Sequence, residues 1–242
     1  MRTATLMFAA LAVFASTAHA AEPDALTLLR QYDRIMGPAN FDMTSSMAAH
    51  REDGSVRTYK MKVLKSGNDK LRVWFSEPSS AKGQEMLRNG DNLWIYMPNL
   101  KRAVRMASRD SFMGGDFNNA DVLRVNYEAD YTAELVASKL PNTYQLNLKA
   151  KGPQVAYDRI TLWMTKEAGP LPVRAEFYAA SGKLLRSADF KDPKDFGGIR
   201  RPASIVMRNE VATQRYSEMV TDALSLKDSV SAQRFVLDDL GR

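Results

Sequence analysis

The sequence predicts a mainly β protein with a few helices, built on one antiparallel sheet that is strongly curved or closed into a barrel. Three observations lead there. Short runs with a period of two recur along most of the chain, polar or Gly/Pro-containing turns separate them at hairpin spacing, and no parallel strand–helix–strand rhythm, fixed repeat or low-complexity linker interrupts the series.

The chain opens on a different kind of segment. Arg2 supplies a short positive start, an apolar stretch runs from about Ala4 to Ala15, and Ala18-His19-Ala20 closes it with small residues. The apolar run is shorter than the roughly 20 residues of a membrane span. It has the layout of a secretory leader. Cleavage is expected after Ala20, leaving residues 21–242 as a single domain, soluble in the periplasm.

Asp24 to Met36 then reads as a helix. Asp24 is the N-cap, Leu28, Leu29, Tyr32, Ile35 and Met36 share one face, and Gly37-Pro38 is the stop. Strands follow at Val56–Lys65, Leu71–Ser76, Gln84–Arg88, Asn92–Met97, Lys101–Ala107, Tyr131–Ala137, Tyr144–Ala150, Ile160–Thr165, Val173–Ala179, Leu184–Phe190 and Ala203–Asn209. Asn89-Gly90 is a strong hairpin signal. Ser108–Arg124 breaks the pattern as a long loop with a short helix near Ala120–Arg124, and long loops in compact domains are commonly functional. Ser231–Leu240 reads as one short terminal helix.

Composition narrows the chemistry. There is no cysteine, which removes disulfides, thiolate metal sites, cysteine nucleophiles and an acylated N-terminal cysteine together. The net charge of +6 is mild; it suits anionic lipid surfaces, and export argues against nucleic acid. Beyond the leader the one histidine, His50, stands in an early strand and reads as structural. There is no His-Glu-x-x-His motif, no Gly-x-Ser-x-Gly elbow and no phosphate-cradling glycine loop. Asp189, Asp192 and Asp195 alternate with lysines and read as a solvated turn rather than a calcium site. No catalytic group, metal or cofactor is expected.

Several strands carry apolar residues on both faces. Leu93, Ile95 and Met97 oppose Trp94 and Tyr96; Leu71, Val73 and Phe75 oppose Trp74; Ile160, Leu162 and Met164 oppose Trp163. A sheet wet on one face alternates apolar with polar, so both faces here need cover. A curved sheet with an apolar concave side under amphipathic helices meets the need, either as an ordinary packed core or as a pocket for an apolar ligand. The thirteen methionines, all but Met1 and Met7 beyond the leader, suit an adaptable surface.

Gly83-Gln84-Glu85-Met86-Leu87, Asn92-Leu93-Trp94-Ile95-Tyr96-Met97-Pro98, Arg105-Met106 and Ser111-Phe112-Met113-Gly114-Gly115-Asp116-Phe117, continued by Asp121-Val122-Leu123, resemble the LolA-like outer-membrane lipoprotein-sorting proteins. The likeness is nearer to the broader branch often encoded beside RND- or MMPL-type transporters. It implies an incomplete, half-open antiparallel β-barrel with a helical lid over a hydrophobic cavity. It also implies a non-catalytic periplasmic carrier of lipid or lipoprotein acyl chains toward the outer membrane, in transient membrane contact, with an inner-membrane RND/MMPL-type transporter as a further partner. Trp74, Met86, Trp94, Tyr96, Met97, Phe112, Met113 and Trp163 are then the candidates for ligand contact, with either strand face as the lining. Lys101, Arg102, Arg105 and Arg109 are the candidates for a headgroup or membrane rim. The rival function on the same fold is a sensor or accessory module that binds an anti-sigma factor or an RND-type transporter.

Overall fold

The structure, a computed structural model, describes residues 22–242; the expected leader and its cleavage after Ala20 lie outside the described residues. Helix α1 (Ala25–Met36) is followed by β1 (Phe41–His50), β2 (Val56–Ser66), β3 (Lys70–Glu77), β4 (Glu85–Asn89), β5 (Asn92–Met97) and β6 (Arg102–Arg105). A crossover holds a 3-10 turn (Phe112–Gly114), α2 (Asn119–Leu123) and α3 (Tyr127–Asp130). Then come β7 (Tyr131–Val136), β8 (Thr143–Ala150), β9 (Arg159–Thr165), β10 (Pro172–Tyr178), β11 (Leu184–Asp195), β12 (Arg200–Asn209) and β13 (Tyr216–Leu226), and two terminal 3-10 turns (Ala232–Phe235 and Leu237–Asp239).

All the strands join one sheet in the order β6-β5-β4-β3-β2-β1-β13-β12-β11-β10-β9-β8-β7. Every pairing is antiparallel, and no pairing among the described residues joins β6 to β7, so the sheet is not closed into a barrel. The chain meanders outward from β1 to one edge, crosses over, and meanders back from the other edge to pair β13 with β1. The crossover must therefore span the open side of the sheet, and that topology makes it a cover.

Period-two alternation sorts the strand residues onto two faces. The inner face carries Tyr59, Met61 and Val63 of β2, Val73 and Phe75 of β3, Leu146 and Leu148 of β8, and Ile160, Leu162 and Met164 of β9 in one buried cluster. Helix α1 enters that cluster through the five residues that its sequence periodicity selects, Leu28, Leu29, Tyr32, Ile35 and Met36. Asp24 caps it by accepting from the Thr27 N–H at 2.7 Å, and the Gly37 N–H closes the other end on Asp33 O at 2.8 Å. Gly37 is glycine because a Cβ there would stand 2.6 Å from the carbonyl oxygen of Val125 in the crossover. Tyr32 stacks on Tyr127 at 4.9 Å, which itself meets Tyr131 edge-on at 5.4 Å, so aromatic contacts tie α1 to the crossover.

The outer face is treated differently at its two ends. Over β3–β5, Trp74, Trp94 and Tyr96 lie with Leu64 and Leu87 beneath the C-terminal segment, whose Phe235 and Leu240 complete a second apolar cluster. Arg72 grips that segment. It pairs with Glu85 at 2.6 Å and donates to Arg234 O at 3.0 Å and Asp239 O at 2.8 Å. Gly241, with φ of 82°, rests so near the Tyr96 ring that a Cβ would meet it at 2.2 Å. Over β10–β13 the outer face instead carries polar pairs: Arg174 with Asp189 and Glu176, Arg208 with Asp189, and Ser204 with Glu218.

Three expectations are corrected. Asp189–Asp195 is not a turn: β11 runs to Asp195, in register with Arg200–Arg201 of β12, as a strand extension exposed to solvent at its tip. Ser231–Leu240 forms two 3-10 turns rather than one helix, with Val236 extended between them. The strand Tyr216–Leu226 appears where the sequence pattern suggested none; a bulge beside Thr44/Ser45 leaves Asp222 without a partner and breaks its alternation.

Candidate functional site

The crossover is pinned to the sheet by the densest motif of the sequence. Ser111 donates to Gly115 O at 2.5 Å and the Phe112 N–H to Phe117 O at 2.8 Å, folding 111–117 into a tight turn. Met113 takes φ of 53°, and its carbonyl accepts from the Tyr59 hydroxyl at 2.9 Å. Asp116, 1% exposed, accepts from the hydroxyl of Ser217 at 2.9 Å and from Asn209 at 3.3 Å, while its own N–H donates to Ser217 Oγ. Phe112, fully buried, is driven into the core against Phe75. A second network follows in α2. Asp121 accepts from the Asn118 N–H at 2.7 Å and the Tyr157 hydroxyl at 2.9 Å, and Tyr157 in turn accepts from Arg186 at 3.2 Å.

Between this cover and the inner face lies a small, partly open chamber. Its wall is Met36 and Gly37 of α1's end, Val63 and Lys65 of β2, Val122 of α2, and Arg201, Ile205 and Met219 of β12–β13. Its volume is about 60 Å³. A small-molecule site usually measures about 300–1,000 Å³, so the chamber in this structure is too small for a drug-sized ligand. Larger grooves, about 820 Å³ beside β7 and about 730 Å³ beside Arg30 and Asp33, are open to solvent and lined by mixed polar residues, unlike an acyl site.

Two cations stand in the apolar wall. Lys65 donates to Gly37 O at 2.6 Å and Pro38 O at 2.9 Å, and Arg201 reaches Met36 O at 3.5 Å. These carbonyls end α1, where a positive charge is favourable. Burial lowers the Lys65 pKa to about 8 and that of Arg201 to about 10. On α1 itself, burial raises Asp33 to about 6 even though its carboxylate accepts from the Tyr127 and Glu128 N–H groups, each at 2.8 Å, and feels the charge of Lys65. Both cations follow the inner-face parity of their strands, Tyr59-Met61-Val63-Lys65 and Arg201-Ala203-Ile205-Met207. A cation at an otherwise apolar strand position is the sequence signal that marks both residues.

The sequence-selected residues divide between the faces. Met86 and Phe112 are buried in the inner cluster, and Met113 packs against it from the crossover. Met97 ends β5 on the inner parity, half-buried. Trp74, Trp94 and Tyr96 gather on the outer face under the C-terminal segment. Trp163 is buried on the outer face of β9, donating to Gln145 at 3.0 Å. Lys101 and Arg102 are exposed at the β5–β6 end, Arg105 bonds to Asn92, and Arg109 is tied to Val155 O and Pro153 O, both at 2.8 Å.

A family model described as "-like: Uncharacterized protein" matches residues 67–242. Among curated proteins, none matches in sequence. Among solved structures, a LolA superfamily protein from Nitrosomonas europaea is 26% identical, with 89% of this chain and 99% of that one covered and a TM-score of 0.80. A protein domain from Vibrio parahaemolyticus, described as outer membrane lipoprotein-sorting, is 22% identical over 90% and 98% at 0.75. A DUF1329 family protein from Desulfovibrio piger is 20% identical over 89% and 97% at 0.79. The last two likenesses speak to the fold, and they agree with the first. The chain belongs to the matched family of uncharacterized proteins, and its fold is that of the LolA superfamily.

Proposed function

We propose that the protein is a periplasmic carrier that shields the acyl chains of a lipid or lipoprotein in the chamber and moves them toward the outer membrane without catalysis. The observation that carries this reading is the covering of a continuous apolar inner face by a helix and a crossover, around a small, partly open chamber. Each methylene taken from water gains roughly 0.8 kcal/mol, so a long chain offsets much of the cost of lifting a few side chains of α1 off the core. In this reading residues 1–20 are the leader, 21–242 form one domain, and Met86, Phe112 and Met113 meet the ligand or the mouth. Lys101 and Arg102 face the membrane, and an RND/MMPL-type transporter is a partner for loading or release.

Native mass spectrometry of the protein purified from the cell envelope tests this. The expected result is bound lipid that leaves on mild activation. Empty protein held tightly by an anti-sigma factor or a transporter would replace the carrier with the accessory-module reading.

A further inference from the structure

Buried charges in proteins are paired or hold a ligand, because an isolated one costs several kcal/mol. The outer face obeys this: Arg72, 5% exposed, has Glu85 and two carbonyls. The chamber does not. Lys65 and Arg201, 3% and 4% exposed, line one cavity, and neither takes part in an ion pair among the described residues. Lys65 is accounted for in part, since two of its three N–H groups cap α1. Arg201 is not. One long contact to Met36 O is its hydrogen bonding among the described residues, and its Nε is buried with no partner. Asp121, the acid in the same wall, is engaged by the Asn118 N–H and the Tyr157 hydroxyl. Arg201 thus lines the chamber with a buried Nε donor that no group among the described residues satisfies.

We propose that Arg201, with the free Lys65 donor, seats the oxyanion head of a single-chain amphiphile, a long-chain carboxylate, whose tail lies along Val63, Ile205 and Met219. The site is then head-inward: the acid is the buried end. Two oxygens match a guanidinium edge bidentately, and the remaining free donors are few, which favours a carboxylate over a phosphate. This rests on the carrier reading and names its ligand class.

The test titrates the delipidated protein with oleate, oleyl alcohol and oleyl phosphate, each below its micelle concentration, against a displaceable fluorescent fatty acid. Oleate should bind at least tenfold more tightly than the alcohol. Arg201→Met should abolish that preference while alcohol binding persists, and Arg201→Lys should keep a preference of a few fold. Thermal melts of both variants check folding, and the wild-type comparison stands without them. Equal affinity for oleate and alcohol overturns the head-inward site. Tighter binding of the phosphate overturns the carboxylate assignment. No binding of any of the three overturns the carrier reading itself.

Discussion

The sheet has two covers, and they are built to different standards. The outer cover, residues 231–241, lies on Trp74, Trp94 and Tyr96 with its polar groups matched: the Arg72–Glu85 pair holds two of its carbonyls, and the Gly241 N–H donates to Glu85 at 3.2 Å. The inner cover, α1 with the crossover, lies over a void of about 60 Å³ and two buried cations that make no ion pair among the described residues. Matched groups and close packing describe a part that stays in place. A void with an unmatched donor describes a part that is less completely packed. Apolar residues on both strand faces therefore mean two separate clusters, and the inner one has room to change.

The largest effect is expected at the outer grip. Glu85→Ala strands Arg72 in an 8%-or-less exposed pair and should cost about 3–5 kcal/mol in denaturant unfolding. A loss below 1 kcal/mol would mean that the strap is not held as described. Phe235→Ala removes the plug of the outer cluster and should cost about 3 kcal/mol, with a red shift of tryptophan emission as Trp74 and Trp94 are wetted. Acyl binding should be unchanged, and a large loss of binding would merge the two covers into one site.

A smaller effect belongs to the inner cover. Asp33 holds its proton more tightly folded, near pH 6, than its ordinary value of 3.8. Its stabilising contribution is thus complete below about pH 4 and fades as pH rises through 6. Measured against Asp33→Asn, the wild type should be relatively more stable at pH 4 than at pH 7, by about 1–3 kcal/mol. A flat difference between the two proteins across that window would remove Asp33 from the closure of α1 on α3.

Much of this was legible in the sequence, and the failures have physical causes. The buried face of α1 follows from its 3.6-residue period, and the hairpins from Gly and Asn turns. The extent of β1 and the whole of β13 were hidden because Ser and Ala dilute the first and a bulge at Asp222 disrupts the second. The charges of Asp189–Asp195 disguised a strand extension that has no buried face to advertise. For the candidate site, alternation placed Trp94 and Tyr96 opposite Leu93 and Ile95, but it does not say which face meets α1; that depends on which way the sheet curves. Lys65 and Arg201 were visible only by parity, and a lone cation in a strand resembles a solvated position until its neighbours are known.

On the carrier reading, acyl chains occupy the inner chamber and not the aromatic outer cluster. Photo-crosslinking of the delipidated protein with a diazirine-bearing fatty acid, followed by peptide mapping, tests it most directly. The account predicts adducts on the strands carrying Val63, Ile205 and Met219; adducts confined to Trp74, Trp94, Tyr96 or the terminal strap would contradict it.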